Sequence, residues 1–315
     1  MGRLFFNAVF RPFLLSFARQ TYEARLPKFL RHSESSVAKI GNLRYKVDMT
    51  SSLSSIRNLI IDMDGVLWHG NAALPGVESF FSFLRSRSIR FVLATNNAMK
   101  TPSQFQTKLR GMGVEVGTDD ILTSSQAVAI YLGQHAPRGA KVFVVGEEGI
   151  RQAIAESGFV LWDAESAAEY VVVGMDHGLN WEKLARATLN IRAGAKFIGT
   201  NSDATFPTER GIVFGNGSIL ALLKTATDVE PLVIGKPAPI MYQQAMERLG
   251  GSVEDTAALG DRLETDILGA VRAGIRSILV LSGVSTRKQL ADSEYQPQWV
   301  FSDIAELTAR WQTDL

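Results

Sequence analysis

Leu59-Ile60-Ile61-Asp62-Met63-Asp64-Gly65-Val66 is a short apolar run that ends in two carboxylates one residue apart. An unbroken run of this kind, bounded by a glycine, reads as a strand buried on both faces and so as part of a parallel sheet. The carboxylates then stand at the carboxyl end of the strand, where open α/β sheets bind their ligands. Acids beside a core are costly unless a cation compensates them, and Mg2+ prefers the oxygen ligands they offer. The plain alternative is a surface turn, since Asp-Gly is a common turn dipeptide. This fragment alone leaves both readings open.

Three later segments repeat the pattern. Phe91-Val92-Leu93-Ala94-Thr95-Asn96-Asn97 is an apolar strand ending in a hydroxyl and two amides. Val233-Ile234-Gly235-Lys236-Pro237 delivers one lysine just before a proline-led helix, and Ala257-Ala258-Leu259-Gly260-Asp261 again ends in an acid, followed by Thr265-Asp266. Each has a local explanation: Thr95 or Asp261 as a helix cap, Lys236 as a solvated loop lysine. Four strand ends carrying carboxylates, hydroxyl, amine and acid in that order are harder to explain separately.

The four segments resemble the signature motifs of the haloacid dehalogenase (HAD) superfamily of phosphohydrolases. Asp62-Met63-Asp64-Gly65-Val66 looks like the first motif, Thr95 the second, Lys236 the third, and Gly260-Asp261 with Thr265-Asp266 the fourth. The Thr-Asn-Asn ending, the Gly-Lys-Pro-x-Pro form and the long insert between the second and third motifs are similar to the p-nitrophenyl phosphatase or NagD-like branch. The resemblance implies an α/β fold: a doubly wound parallel-sheet core with an inserted α/β cap domain. It places the core at residues 56–136 and 231–315 and the cap at 137–230, with residues 1–55 as an N-terminal extension.

The resemblance also implies roles. Asp62 is the nucleophile that forms an aspartyl-phosphate, and Asp64 protonates the leaving oxygen and later activates water. Mg2+ is held by Asp62, Asp261 and Asp64, the last through its backbone carbonyl. Thr95, Asn96 and Lys236 bind the phosphoryl group. Asp266 orients ligands from behind, or is a helix N-terminal acid favoured by the dipole. In the insert, Asn201, Asp203 and Phe206 are candidates for contacting the leaving group, or members of an ordinary polar turn. Gly215-Asn216-Gly217 has the look of a phosphate-binding loop, but a helix N-terminal turn is the better reading. The implied substrate is a small phosphorylated metabolite. A catalytically silent binding module and a sugar phosphomutase are the rivals, and the cap allows a homodimer.

Composition agrees with a soluble enzyme. The chain has 315 residues, 46% hydrophobic and 21% charged, long enough for two domains. It contains no cysteine, which excludes disulfides and thiolate chemistry. Residues 1–48 hold nine of the 33 Lys+Arg and three of the 32 Asp+Glu, so the rest carries a mildly acidic balance, with no basic stripe for nucleic acid. The first segment, with Phe5, Phe6, Phe10, Phe13 and Phe17 among arginines, resembles a transit peptide. Arg11-Pro12 interrupts it too early for a membrane span. A working start at Met49 and a cytoplasmic protein form the competing expectation.

From Arg57 the pattern alternates strand and helix. Strands are expected at Arg90 to Ala94, Lys141 to Val145, Tyr170 to Val173, Lys196 to Ile198, Leu232 to Ile234, Ala257 to Leu259 and Ser277 to Leu281. The strand at Leu232 is expected to reopen the core, and Thr265 to Ala273 to be a helix. Such alternation indicates βαβ units and parallel sheets.

Overall fold

The computed structural model describes residues 37–40, 43–46, 52–208 and 210–314. In chain order its first half runs β1 (Asn58–Ile61), α1 (Val77–Ser86), β2 (Arg90–Thr95), α2 (Pro102–Arg110), β3 (Ile121–Thr123), α3 (Ser124–His135), β4 (Lys141–Val145), α4 (Glu148–Glu156), β5 (Val160–Leu161) and β6 (Tyr170–Val173). It continues through α5 (Trp181–Arg192), β7 (Lys196–Gly199), α6 (Asn216–Thr227), β8 (Leu232–Val233), α7 (Pro239–Leu249), β9 (Thr256–Gly260), α8 (Leu268–Ala273), β10 (Arg276–Val280), α9 (Arg287–Ala291), β11 (Trp299–Phe301) and α10 (Ile304–Thr313). Three antiparallel hairpins stand apart: Val37–Ile40 with Leu43–Lys46, Trp68–His69 with Ala72–Ala73, and Thr205–Thr208 with Gly211–Phe214.

The first sheet has the order β11-β10-β9-β1-β2-β3, with every pairing parallel. All four residues of β1 are buried, and from Leu59 onward it reads as a continuous apolar run. Side chains alternate across it. Leu59 and Ile61 join a cluster with Phe80, Phe81 and Leu84 of α1 and Trp311 of α10, while Ile60 joins Val92 and Ala94 on the other face. Each such fully buried side chain contributes about 1.5–3 kcal/mol relative to exposure. From β1 the connections run one way to β2 and β3, and from β9 the other way to β10 and β11. The switch between β1 and β9 opens a crevice at their carboxyl ends, and Asp62 and Asp261 leave their strands there.

The second sheet has the order β8-β7-β6-β4-β5, again all parallel. It shares a buried cluster with the first. Ala127, Val128 and Leu132 of α3 sit in one apolar group with Ile60 from the first sheet and Val142, Val144 and Val172 from the second. Where β2 ends, Gly149 N donates to Met99 O at 2.8 Å. A Cβ on Gly149 would meet Ala98 O and Lys100 O at 2.7 and 2.6 Å, so only glycine permits this approach.

Two expectations are corrected. The strand at Leu232 does not reopen the first sheet. Leu232 pairs with Ile198 and Val233 with Gly199, so β8 is the edge of the second sheet. The segment expected as a helix from Thr265 begins instead as a π-helical turn over Leu263–Ile267 and becomes α-helical only at Leu268. There Asp266 N and Ile267 N both donate to Arg262 O, while the Asp266 carboxylate takes Arg262 N, which widens the turn. At the amino end, Leu53 is already buried in the core cluster. The transit-peptide reading and the start at Met49 lie outside the described residues. No helix among the described residues is long and apolar enough to cross a membrane.

Candidate active site

The strand ends converge as the sequence suggests. Asp62, directly after β1, is held by its own backbone: Asp62 N donates to Leu259 O of β9 at 2.8 Å. Lys236 Nζ donates to Asp62 Oδ1 at 2.5 Å, to Asp266 Oδ1 at 2.8 Å and to Ala94 O at 3.0 Å. Its three protons are thus all placed. Carboxylate oxygens of Asp62, Asp261 and Asp266 lie within 4.8 Å of one another. Three acids are therefore grouped with one ammonium, which pairs with two of them, Asp62 and Asp266.

This imbalance moves the proton affinities. Burial pushes Asp62 well above the usual carboxylate range; Lys236 opposes it, and Asp266 and Asp261 reinforce it. Asp261 is pushed up to about 6, by burial first and by Asp266 next, against a hydrogen bond from Val284 N and the charges of Arg262 and Lys236. Burial works against the Lys236 ammonium, but Asp266 and Asp62 outweigh it and hold its pKa above the ordinary lysine value. A cation beside Asp62 and Asp261 would favour their ionised forms.

The donor set fits a divalent cation. Asp261 is fully buried; its Oδ2 accepts from Val284 N at 2.7 Å, yet its Oδ1 has no protein partner among the described residues. A buried carboxylate oxygen left over in this way is unexpected unless an ion or water completes it. The backbone is shaped around that oxygen pair. A Cβ on Gly283 would stand 1.9 Å from Asp261 Oδ2, and one on Gly65 (φ +86°) 2.5 Å from it. A Cβ on Gly260 would stand 2.2 Å from Asp266 Cβ. All-oxygen carboxylate coordination suits a hard cation such as Mg2+.

Asp64, expected to offer a metal only its backbone carbonyl, turns its carboxylate elsewhere. Its carboxylate is outside the three-carboxylate group; its side chain is exposed, and Oδ1 accepts from Trp68 Nε1 at 2.7 Å. The fully buried Trp68, with Lys108 Nζ 4.0 Å from the ring centroid, fixes that orientation and leaves the second oxygen without a hydrogen bond among the described residues. Thr95 is buried, and its Oγ1 accepts from Asn97 N at 3.1 Å, so the hydroxyl proton remains available to a ligand. Asn96 does not hold its amide towards an open site. Its Nδ2 donates to Lys236 O at 2.9 Å and to both Asp203 carboxylate oxygens at 3.2 and 3.3 Å.

Of the residues proposed from the insert, Asn201 and Asp203 reach this site. Asn201 Nδ2 donates to Asn96 O at 2.8 Å. Burial raises the Asp203 carboxyl, opposed by the hydrogen bond from Asn96 and by Arg262. Phe206 stands further out, its ring edge-on to His177 at 6.5 Å between centroids. Sequence reasoning missed the turn Gly283–Ser285, which closes on Asp261 through Val284 N and through Ser285 N to Asp261 O at 3.1 Å. The signal was there: Gly283 follows the β10 strand end as Gly65 follows β1.

Known proteins place this constellation. A family model described as haloacid dehalogenase-like hydrolase matches residues 59–160, and one described as HAD-hydrolase-like matches residues 233–307. An acid sugar phosphatase of Staphylococcus saprophyticus is 37% identical over 255 residues, covering 81% of this chain and 98% of that protein. The chain belongs to the haloacid dehalogenase superfamily. Among solved structures of that superfamily, 4-nitrophenylphosphatase from Thermotoga maritima is similar with a TM-score of 0.78 and 34% identity, over 82% of this chain and 98% of that one. Glycerol phosphate phosphatase from Mycobacterium tuberculosis, in complex with magnesium, is similar with a TM-score of 0.76 and 35% identity, over 82% and 78%. The protein is a HAD phosphatase of the p-nitrophenyl phosphatase branch.

Proposed function

We propose that this phosphatase hydrolyses small phosphomonoesters with Mg2+ through a covalent intermediate on Asp62. The carrying observation is Asp62 itself, gripped by Lys236 at 2.5 Å and grouped with Asp261, whose Oδ1 is buried without a protein partner. Asp62 and Asp261, with the Asp64 backbone carbonyl, would hold the metal. Bound there, Mg2+ would neutralise charge on the phosphoryl oxygens.

In the first half-reaction a carboxylate oxygen of Asp62 bonds to phosphorus while the bond from phosphorus to the ester oxygen breaks. Asp64 protonates the departing oxygen through the carboxylate oxygen that Trp68 does not occupy. In the second, Asp64 takes a proton from water as that water attacks the aspartyl-phosphate, and phosphate leaves. The Thr95 hydroxyl holds a phosphoryl oxygen, and Lys236, whose protons rest on Asp62, Asp266 and Ala94 O, sets its positive charge beside the transferring group. The second sheet and its helices act as the cap over the site, with Asn201 and Asp203 on the side of the leaving group and Phe206 further out. The named relatives, a sugar phosphatase, a nitrophenyl phosphatase and a glycerol phosphate phosphatase, support a small polar leaving group.

The test is a panel of sugar, glycerol, nucleoside and nitrophenyl phosphates compared by kcat/KM, with Mg2+ and with EDTA. Mg2+-dependent release of phosphate, abolished by EDTA, is expected. Binding without turnover across the panel would leave the silent binding module as the correct reading.

A further inference from the structure

The Gly215-Asn216-Gly217 stretch takes no part in the chemistry above, yet Asn216 is among the most enclosed polar residues of the second sheet. It is 2% exposed, at the first turn of α6. Its Nδ2 donates to Asn201 O at 2.8 Å, Val173 O at 3.2 Å and Thr200 Oγ1 at 3.3 Å. Three acceptors around one atom fix the orientation of the amide, since an oxygen there would face only oxygens. Asn216 thus ties the carboxyl end of β6 to the turn that follows β7.

That turn reaches the phosphoryl-binding residues. Asn201, 5% exposed, donates to Asn96 O and accepts from Asp203 N at 3.1 Å. Asn96 holds Lys236 O, and Gly235 N donates to Thr200 O at 2.9 Å. The glycines mark contacts between backbones. A Cβ on Gly215 would stand 2.3 Å from Asp203 O, on Gly217 2.4 Å from Ser202 O, and on Gly235 2.3 Å from Thr200 O. The two glycines beside Asn216 therefore serve chain packing and not phosphate binding.

Lys236 needs such support. It follows an edge strand of two residues in the second sheet, whereas its partner Asp62 leaves the centre of the first. The amides of Asn216, Asn201 and Asn96 can hold the two together without themselves adding charge, and Asn96 also takes up the carboxylate of Asp203 in the same turn. We infer that Asn216 is a remote positioning residue: through the Thr200–Asp203 turn and Asn96 it sets where Lys236 and Thr95 meet the phosphoryl group. The inference rests on the phosphatase reading above.

The test uses the full chain with Asn216→Ala and, as a second variant outside α6, Asn201→Ala. Each is expected to lower kcat for p-nitrophenyl phosphate about ten- to hundredfold, the scale of an ångström-sized misplacement. The inhibition constant of inorganic phosphate should rise about tenfold, near 1.4 kcal/mol. The Mg2+ concentration for half-maximal rate should stay within about twofold, because Asp62 and Asp261 are untouched. A purely structural role would lower melting temperature and the active fraction but leave the phosphate inhibition constant alone. That result in either soluble variant overturns the inference, the more so if kcat per folded molecule is unchanged. If the wild-type protein releases no phosphate from any ester and is not inhibited by phosphate, the functional reading fails and this inference with it.

Discussion

The carboxyl ends of the two parallel sheets meet at one site but are built from different materials. The first sheet brings charge: Asp62, Asp261 and Asp266 within 4.8 Å, and Asp64 turned onto Trp68. The second brings amides and backbone, namely Asn201, Asn216 and the Gly235–Thr200 hydrogen bond, together with one acid, Asp203, and the cation Lys236, proposed above to act on the phosphoryl group. The charged end holds the groups proposed to make and break bonds, at an electrostatic cost that a metal would offset. The amide end carries orientation. Substitutions at the charged end should change the chemical step outright, while those at the amide end should weaken it by degrees.

The largest expected effect is Asp62→Asn, which keeps size and polarity but removes the proposed nucleophile. Steady-state turnover should fall by at least about a thousandfold with the melting temperature little changed. A residual rate above about a tenth of wild type would reduce Asp62 to a metal ligand, and the contrast between the two ends would lose its basis.

Next comes the geometry of the charged end. Gly283→Ala places a methyl group 1.9 Å from Asp261 Oδ2, with no room for both. The Mg2+ requirement should rise and kcat/KM should fall about ten- to hundredfold. Gly133, on α3 with nothing near its absent Cβ, is the control. Gly133→Ala should leave activity alone and stabilise by up to about 1 kcal/mol in a thermal or urea melt. Equal behaviour of the two variants would mean that the backbone approach to Asp261 is not functional.

Asp64→Asn separates acid from nucleophile. Esters with poor leaving groups, such as glycerol phosphate, should slow much more than p-nitrophenyl phosphate, whose leaving group needs little protonation; about two orders of magnitude is the usual weight of general acid catalysis. Equal losses on the two substrates would remove Asp64 from the proton path.

The smallest effect is on stability. Asp261 is raised to about 6 and Asp62 is raised too, so the folded protein without metal holds more protons than the unfolded chain between about pH 4 and pH 6. In EDTA the contribution of these groups is therefore fully present below their unfolded pKa and is lost as pH rises through the folded one. Mg2+ should restore more stability at pH 7 than at pH 5. The groups facing Asp261 that set this window are Asp266, Arg262 and Lys236, and a melt that is flat with pH in EDTA would argue against it.

The same contrast explains what the sequence could reveal. The charged end was legible because an apolar run followed by an acid is a local pattern, and β1 and β9 each carry one. The amide end was not. Leu232–Val233 is two residues long and could extend either sheet, and only tertiary packing assigns it to β7. Asp266 reads locally as a helix acid, yet its partner Lys236 is thirty positions away. Asn216 sits between two glycines that suggest a phosphate loop, and its three acceptors come from β6 and the turn after β7. Beyond Leu281 no elements were expected, although Asp303 and Glu306 carry a readable helix start: Asp303 Oδ1 accepts from Glu306 N at 2.8 Å, and Glu306 Oε2 from Ser302 N at 2.6 Å. Trp299 and Val300, half-buried at the sheet edge, gave too weak an apolar run to mark β11.

The most direct measurement is acid quenching of the enzyme during turnover with p-nitrophenyl phosphate and Mg2+, followed by peptide mass spectrometry. A single phosphoryl adduct on the peptide containing Asp62, absent without Mg2+ and absent from Asp62→Asn, is the predicted result. Full turnover with no adduct on that peptide even when Asp64→Asn slows its hydrolysis, or an adduct on another residue, would contradict the account.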